Sequence, residues 1–440
     1  MRECDVAVIG AGPGGYMCAE LLAKQGKSVC LIEKRAIGGT CLNEGCVPAK
    51  NFLECAQLHY KAKLTDFKMP LLCMETNTLI ETLRKGIETK LSKAGVEILK
   101  GEASFEDPYT LHVKGETSLH VKAKNIIIAT GSSHRPHPLL SIDKKHILSS
   151  REVFALQEVP KRILVVGGGA IGCEFATFFH ALGSETVIAE FTPQLIPAED
   201  GDVAEALMRE FKKKKIKVHL SANITAYEVT AEGIDVTMET PKGEVKMQTD
   251  LILVSIGRMP NTAALALDKA GVESARGFVT VNKRLQTSQP HIYAIGDVIM
   301  TPALAHTAYN EALTVAKNMV GGDVTSAFVI PYVTFCQPQI GSAGKNEKTL
   351  NAEGVEFEVK KHFFKSSCKA KIKGDDSGFI KLMVDPVSDT ILGACIIGND
   401  ATELIHQLII AINAKVTTKE LSEMVFAHPT LSESLWEMVQ

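Results

Sequence analysis

The sequence predicts an α/β chain in which two doubly wound, Rossmann-like domains are followed by an α+β domain. Two observations predict it. A strand, glycine turn, helix and strand recur twice in one register, and from about Val324 the chain turns to strands and a long helix with no such turn.

The first unit opens with a strand at 5–9, which runs into Gly10-Ala11-Gly12-Pro13-Gly14-Gly15. A helix is expected over 16–24, and a second strand, 29–32, ends at Glu33. The second unit repeats this with a strand at 162–166, Gly167-Gly168-Gly169-Ala170-Ile171-Gly172, a helix over 173–182 and a strand ending at Glu190. Gly10 to Gly167 and Glu33 to Glu190 are both displaced by 157 positions. In each unit the first glycine (Gly10, Gly167) allows a tight turn and the second (Gly12, Gly169) lets backbone approach a pyrophosphate. The third (Gly15, Gly172) lets helix and strand pack closely. Free N–H groups at the helix N-terminus then face the phosphates, and the acid can bind a ribose diol. A lone glycine motif is weak, whereas two with acids at the same offset are strong.

Further apolar strands, 123–128, 251–256 and 292–295, end in Ala129-Thr130-Gly131, Gly257-Arg258-Met259-Pro260-Asn261 and Gly296-Asp297. Strands at 379–384 and 391–397 precede a helix over 402–414. The expected division is 1–150 for the first nucleotide domain, 151–270 for the second, 271–323 returning to the first, and 324–440 for a terminal interface domain.

A chain of 440 residues exceeds one ordinary core, and its 45% apolar and 22% charged residues are those of a globular protein. A net charge of −3 argues against nucleic acid as a partner. The run Lys212 to Lys215 reads as the solvated side of a helix. No window approaches the ~18 apolar residues of a membrane span, and the first strand begins too early for a leader, so a cytoplasmic protein is expected. Eleven cysteines, an odd number without framework rhythm, are expected to be mostly reduced packing residues, Cys55, Cys73, Cys173, Cys336, Cys368 and Cys395 among them. No metal is expected.

One cysteine pair stands apart, in Gly38-Gly39-Thr40-Cys41-Leu42-Asn43-Glu44-Gly45-Cys46-Val47-Pro48-Ala49-Lys50. On a regular helix, positions five apart put Cα atoms ~8–9 Å apart, beyond the ~7 Å limit for a disulfide. A bridge therefore needs a distorted turn, which Gly45 permits. Pro48 suits the first turn of a following helix, whose N-terminus lowers a thiol's pKa. Placed directly after a dinucleotide unit, the pair reads as redox-active rather than as two buried thiols.

These seven motifs in their chain order, closing with FAHPTLSE near the C-terminus, resemble the pyridine nucleotide–disulfide oxidoreductase family, class I, and within it the dihydrolipoyl dehydrogenase branch. The resemblance covers nearly the whole chain. It implies FAD in the first unit, with Glu33 on the adenosine ribose and Asp297 on the flavin side, and NAD in the second. Gly39, Thr40, Thr130, Gly131, Gly296, Ala305, Gly257 and Arg258 join the glycines and Glu190 as implied cofactor residues. Cys41 is implied to exchange with substrate and Cys46 to contact the flavin, with Lys50 beside it paired to Glu174. His428 and Glu433 match the base and its orienting acid. In that family the histidine reaches the other subunit's disulfide, so the resemblance implies a homodimer, serving lipoyl domains of 2-oxoacid dehydrogenase or glycine-cleavage complexes. Glu190 would repel a 2′-phosphate, which favours NAD over NADP.

Four positions depart from the family pattern. Glu44 puts a charge between the thiols, Phe426 replaces a histidine common in this branch, Gln339 ends a pattern that usually ends in glutamate, and Ala312 stands for glycine. The stretch from Lys50 to Ala129 is also short. Rival readings are a glutathione reductase, disfavoured by Glu190 and Phe191; a mercuric reductase, disfavoured because no cysteine follows Cys395; a transhydrogenase without a disulfide; and a non-catalytic scaffold subunit.

Overall fold

The computed structural model describes residues 1–64, 66–325 and 328–440. The chain divides into two compact units, one of residues 1–51, 70–135 and 257–328, the other of 52–69, 136–256 and 329–440.

The first unit is built on a seven-stranded sheet ordered Glu97–Lys100, Val29–Glu33, Arg2–Ile9, Leu119–Ile128, Thr110–Lys114 and Glu102–Asp107, with Ile292–Ala294 also paired to Leu119–Ile128. The strands on either side of Arg2–Ile9 run parallel to it, with Val6 opposite Val29 and Asn125. Val6, Ala7 and Val8 are wholly buried, as an apolar run covered on both faces must be. The helix Pro13–Lys24 starts at once after the glycine turn, with Pro13 where a missing N–H costs nothing.

The second unit holds a five-stranded parallel sheet, Lys217–His219, Glu185–Ala189, Arg162–Val166, Leu251–Val254 and Ile147–Leu148. The order repeats that of the first sheet: each first strand, Arg2–Ile9 or Arg162–Val166, lies between the strand after its helix and a later one. The same unit contains an antiparallel five-stranded sheet, Tyr332–Thr334, Gln339–Gly344, Ile391–Gly398, Phe379–Val384 and Glu358–Phe363. The helix Ala401–Ala414 buries Leu404, Ile405 and Leu408 in the core that this sheet shares.

The expected strands and helices are present, with ends shifted by no more than four residues. The helix expected after the cysteine pair is Cys46–Lys61, while elements not anticipated include the helices Met69–Lys93 and Ala305–Asn318 and the antiparallel sheet Asn223–Thr230, Gly233–Thr240 and Gly243–Thr249. The expectation for the lysine run needs correction. Lys212, Lys213 and Lys215 are exposed, but Lys214 turns inward and donates to Gln337 O at 2.9 Å, and burial pushes its ammonium below the usual lysine range. No helix among the described residues is long and apolar enough to cross a membrane.

Candidate functional site

The two glycine turns are near copies. A Cβ on Gly15 would lie 1.9 Å from Gly10 O, and one on Gly172 would lie 1.8 Å from Gly167 O, so no larger residue fits at either third position. At Gly12 and Gly169 a Cβ would meet nothing within 4 Å. Both residues cap helices that no side chain caps, so these N-termini have room beside them and no side chain on their first N–H groups, an arrangement that fits a diphosphate. Glu33 accepts from Ala11 N–H at 2.8 Å and Arg35 N–H at 2.7 Å. Glu190 accepts from Gly168 N–H at 2.5 Å and Thr192 N–H at 2.6 Å. The acids thus hold the turns in shape as well as ending the strands.

In the first unit the later motifs are laced together. Asn261 donates to Thr130 O at 2.9 Å, Thr130 Oγ1 donates to Asn261 O at 2.8 Å, and Asn261 N–H donates to Gly131 O at 2.9 Å. Ser132 Oγ donates to Asp297 Oδ2 at 2.5 Å. Arg258, next to Gly257, donates to Ser132 Oγ at 2.7 Å and to its carbonyl at 2.6 Å, with Asp297 3.6 Å away. Arg258 and Asp297 therefore belong to one cluster. Gly296 N–H donates to the buried Glu311 at 2.6 Å, and burial raises that carboxyl. Ala305 begins the helix Ala305–Asn318. Ser132, Asn261 and Glu311 were missed as site residues. Ser132 and Asn261 sit in or beside motifs already singled out, whereas nothing local marks Glu311.

The cysteine segment lies on the first turn. A Cβ on Gly39 would be 2.6 Å from Gly12 Cα, and Gly38 N–H donates to Ala11 O at 2.8 Å. The short helix Gly39–Glu44, which carries Thr40 and Cys41, stops at Gly45, and the helix Cys46–Lys61 begins immediately. At Gly45 the chain doubles back so tightly that a Cβ would lie 2.9 Å from Thr40 O and 3.3 Å from Cys41 Cα. This is the distorted turn the spacing requires, and Pro48 falls in the first turn of the second helix. Both cysteines are thiols, Cys41 part-buried and Cys46 exposed. Contact with Cys46 raises the Cys41 pKa well above the usual thiol value; burial adds to this, and the nearby charge of Lys50 opposes it. Glu44, whose charge lies between the two cysteines in the sequence, has its carboxylate paired with Arg35. Cys368, expected to be a packing residue, is exposed; it opens the five-residue helix Cys368–Ile372, too short to enclose it.

In the second unit, His428 Nδ1 lies 2.8 Å from Glu433 Oε1, and the other carboxylate oxygen accepts from Thr430 N–H at 2.8 Å. The Thr430 N–H, with the imidazole, holds the Glu433 carboxyl below the usual range. The His428 side chain is 70% exposed, which leaves Nε2 open to an incoming group. Glu174 is buried and accepts from Phe335 N–H at 2.9 Å.

The family model for pyridine nucleotide-disulphide oxidoreductases matches residues 4–312, and that for their dimerisation domain matches 330–439. The chain belongs to the pyridine nucleotide-disulphide oxidoreductase family. Membership makes it a flavoprotein disulfide oxidoreductase by class and implies a flavin and a nicotinamide nucleotide, which the uncovered turns at Gly12 and Gly169 fit. The chain is 36% identical to dihydrolipoyl dehydrogenase 1, mitochondrial, of Arabidopsis thaliana over 99% of its own length and 89% of the relative's. It is 36% identical to the dihydrolipoyl dehydrogenase of Thermus scotoductus, covering 100% and 97%. Among solved structures, a Cu(II) complex of the HOCl-induced flavoprotein disulfide reductase RclA from Escherichia coli matches with a TM-score of 0.91 at 28% identity, covering 100% and 99%. LpdA from Mycobacterium tuberculosis matches with a TM-score of 0.92 at 24% identity, a likeness of fold.

Proposed function

We propose that this enzyme oxidises protein-bound dihydrolipoamide to lipoamide through a Cys41–Cys46 redox pair and FAD, reducing NAD+ to NADH. The observation that carries the reading is the contact of the two thiols on a loop pressed against the first glycine turn.

His428 takes a proton from the incoming thiol while Glu433 fixes the imidazole tautomer and steadies its positive charge. The resulting thiolate attacks Cys41 of the oxidised pair and releases Cys46. The second substrate thiol then displaces Cys41, so two electrons and two protons have passed to the enzyme and the substrate leaves as a disulfide. Lys50 favours negative charge on the pair. FAD, bound over Gly10, Gly12, Gly15 and Glu33, supplies two-electron chemistry between the pair and the nicotinamide. Gly167, Gly169, Gly172 and Glu190 hold NAD, and Glu190 selects its free 2′-hydroxyl. Residues 1–150 and 271–323 are read as the FAD domain, 151–270 as the NAD domain and 324–440 as a homodimer interface. The enzyme is placed in the cytoplasm, serving the lipoyl domains of a 2-oxoacid dehydrogenase or glycine-cleavage complex.

The test is NADH formation with dihydrolipoamide, run beside glutathione disulfide and mercuric ion as acceptors from reduced nucleotide. Cupric ion joins the panel because a solved relative is a Cu(II) complex. Dihydrolipoamide should be preferred by at least a hundredfold in kcat/KM, and Cys41→Ser or Cys46→Ser should abolish turnover. A preference for another acceptor, or turnover that survives Cys46→Ser, overturns the reading.

A further inference from the structure

The residues between the two cysteines are gripped from outside their own loop. Asn43 donates to Ile37 O at 3.1 Å and to Gly39 O at 2.7 Å, which closes the loop on itself. Its Oδ1 accepts from both Nε, at 3.1 Å, and Nη2, at 2.7 Å, of Arg84. Arg84 is half-buried and comes from the helix Met69–Lys93, not from the redox motif. Asn51, one turn into the helix that Cys46 opens, donates to Thr76 of the same long helix at 2.7 Å. Arg35 pairs with Glu44, the next residue along the loop. Arginine N–H donors are charge-assisted and their fork is rigid, so this brace fixes direction as well as distance.

We propose that Arg84, acting through Asn43, is a positioning residue that keeps the Cys41–Cys46 segment in one conformation in both redox states, and so keeps the pair's reduction potential low. The inference rests on the redox role proposed above.

Reduction breaks the S–S bond, with two electrons and two protons supplied by a dithiol that becomes a disulfide. Two freed sulfurs held in contact crowd each other, and charge on one disfavours charge on the other. A loose loop would relieve this by letting them separate, which would stabilise the reduced state and raise the potential. A braced loop denies that relief.

The experiment uses the flavoprotein as purified, equilibrated anaerobically in glutathione buffers and trapped with a maleimide. The peptide carrying Cys41 and Cys46 is then weighed for two added labels. In Arg84→Met, half-reduction should occur at a [GSH]²/[GSSG] ratio about tenfold lower than in the parent, equivalent to about +30 mV for a two-electron couple. Arg84→Lys, which keeps one N–H for Asn43 Oδ1, should shift it about threefold. A ratio within twofold of the parent in a folded Arg84→Met overturns the proposal; should that variant not fold, an unshifted Arg84→Lys overturns it instead. A parent peptide that never gains two labels reversibly overturns the redox role itself, a result distinct from an active pair that Arg84 does not tune.

Discussion

Glu33 and Glu190, 157 positions apart, make the same pair of hydrogen bonds, each spanning one N–H of its own glycine turn and one N–H two residues beyond itself. Two lone pairs per carboxylate are used inward, and the rest remain for a ribose diol. Glu190→Ala should therefore raise the KM for NADH at least tenfold while changing that for NADPH less than threefold, because the lost acceptor also repelled the 2′-phosphate. Steady-state kinetics with both nucleotides settle it; equal losses would mean Glu190 only shapes the turn.

Much of this was legible because it is periodic or local. The repeat, the strand ends and the doubled-back turn at Gly45 follow from spacing and from the geometry of a helix. What was not legible is long-range. Arg84 meets Asn43 and Glu311 meets Gly296 across intervals that no local pattern spans. The partner of Glu44 was not legible for the same reason, since Arg35 belongs to the preceding loop. Cys368 was misassigned because thiols are usually buried, whereas a short edge helix leaves this one outside.

Gly45 tests the turn. Its missing Cβ would face backbone atoms, Thr40 O and Cys41 Cα, which cannot move aside as a side chain would. Gly45→Ala should cost about 1–3 kcal/mol of stability, as overpacking does. It should also slow reduction of the cysteine pair by NADH at least tenfold. A melting temperature and a thiol-appearance rate both unchanged would show that the turn has slack.

Exposure sorts the cysteines. In the reduced protein, Cys46 and Cys368 should react first with a maleimide at neutral pH. Cys18, whose thiol burial pushes up to about 12, and the fully buried Cys173 and Cys395 should react only after unfolding. Peptide mapping over time gives the order, and early labelling of Cys173 would contradict the packing described.

Lys381 carries a pH dependence. Its ammonium is wholly buried and lies 2.8 Å from Asp200, 2.8 Å from Asp202 and 2.6 Å from Glu347. Against the burial that would lower it, the three carboxylates hold the lysine above its usual range, and the Asp202 carboxyl, against a penalty from burial, is held below its own by Lys361 and Lys381. A raised lysine stabilises at every pH below its unfolded value. The depressed Asp202 stabilises above the ordinary carboxylate range and loses that contribution as pH falls. Lys381→Met should thus destabilise by about 3–5 kcal/mol at neutral pH, and by less as pH falls below the ordinary carboxylate range, where the contribution of the depressed Asp202 is lost. Denaturant titrations at two pH values test this, and a pH-independent loss would mean that packing dominates.

The role proposed for His428 as base can be tested without confusing chemistry with folding, because His428 is largely exposed and its partner Glu433 begins a five-residue helix. His428→Ala should lower kcat/KM for dihydrolipoamide by about 10²–10⁴-fold. Glu433, kept below the carboxylate range by the Thr430 N–H and His428, stays charged at neutral pH and can steady the imidazole there. Subunit origin follows from mixing. If His428 serves the partner's cysteines, a Cys41→Ser subunit paired with a His428→Ala subunit has one intact site, built from the histidine of the first and the cysteines of the second. Random reassociation of equal amounts should then recover about a quarter of parental activity, since half the dimers are mixed and each has one working site. If histidine and cysteines of one subunit work together, every site in every dimer lacks one of them, and mixing recovers nothing.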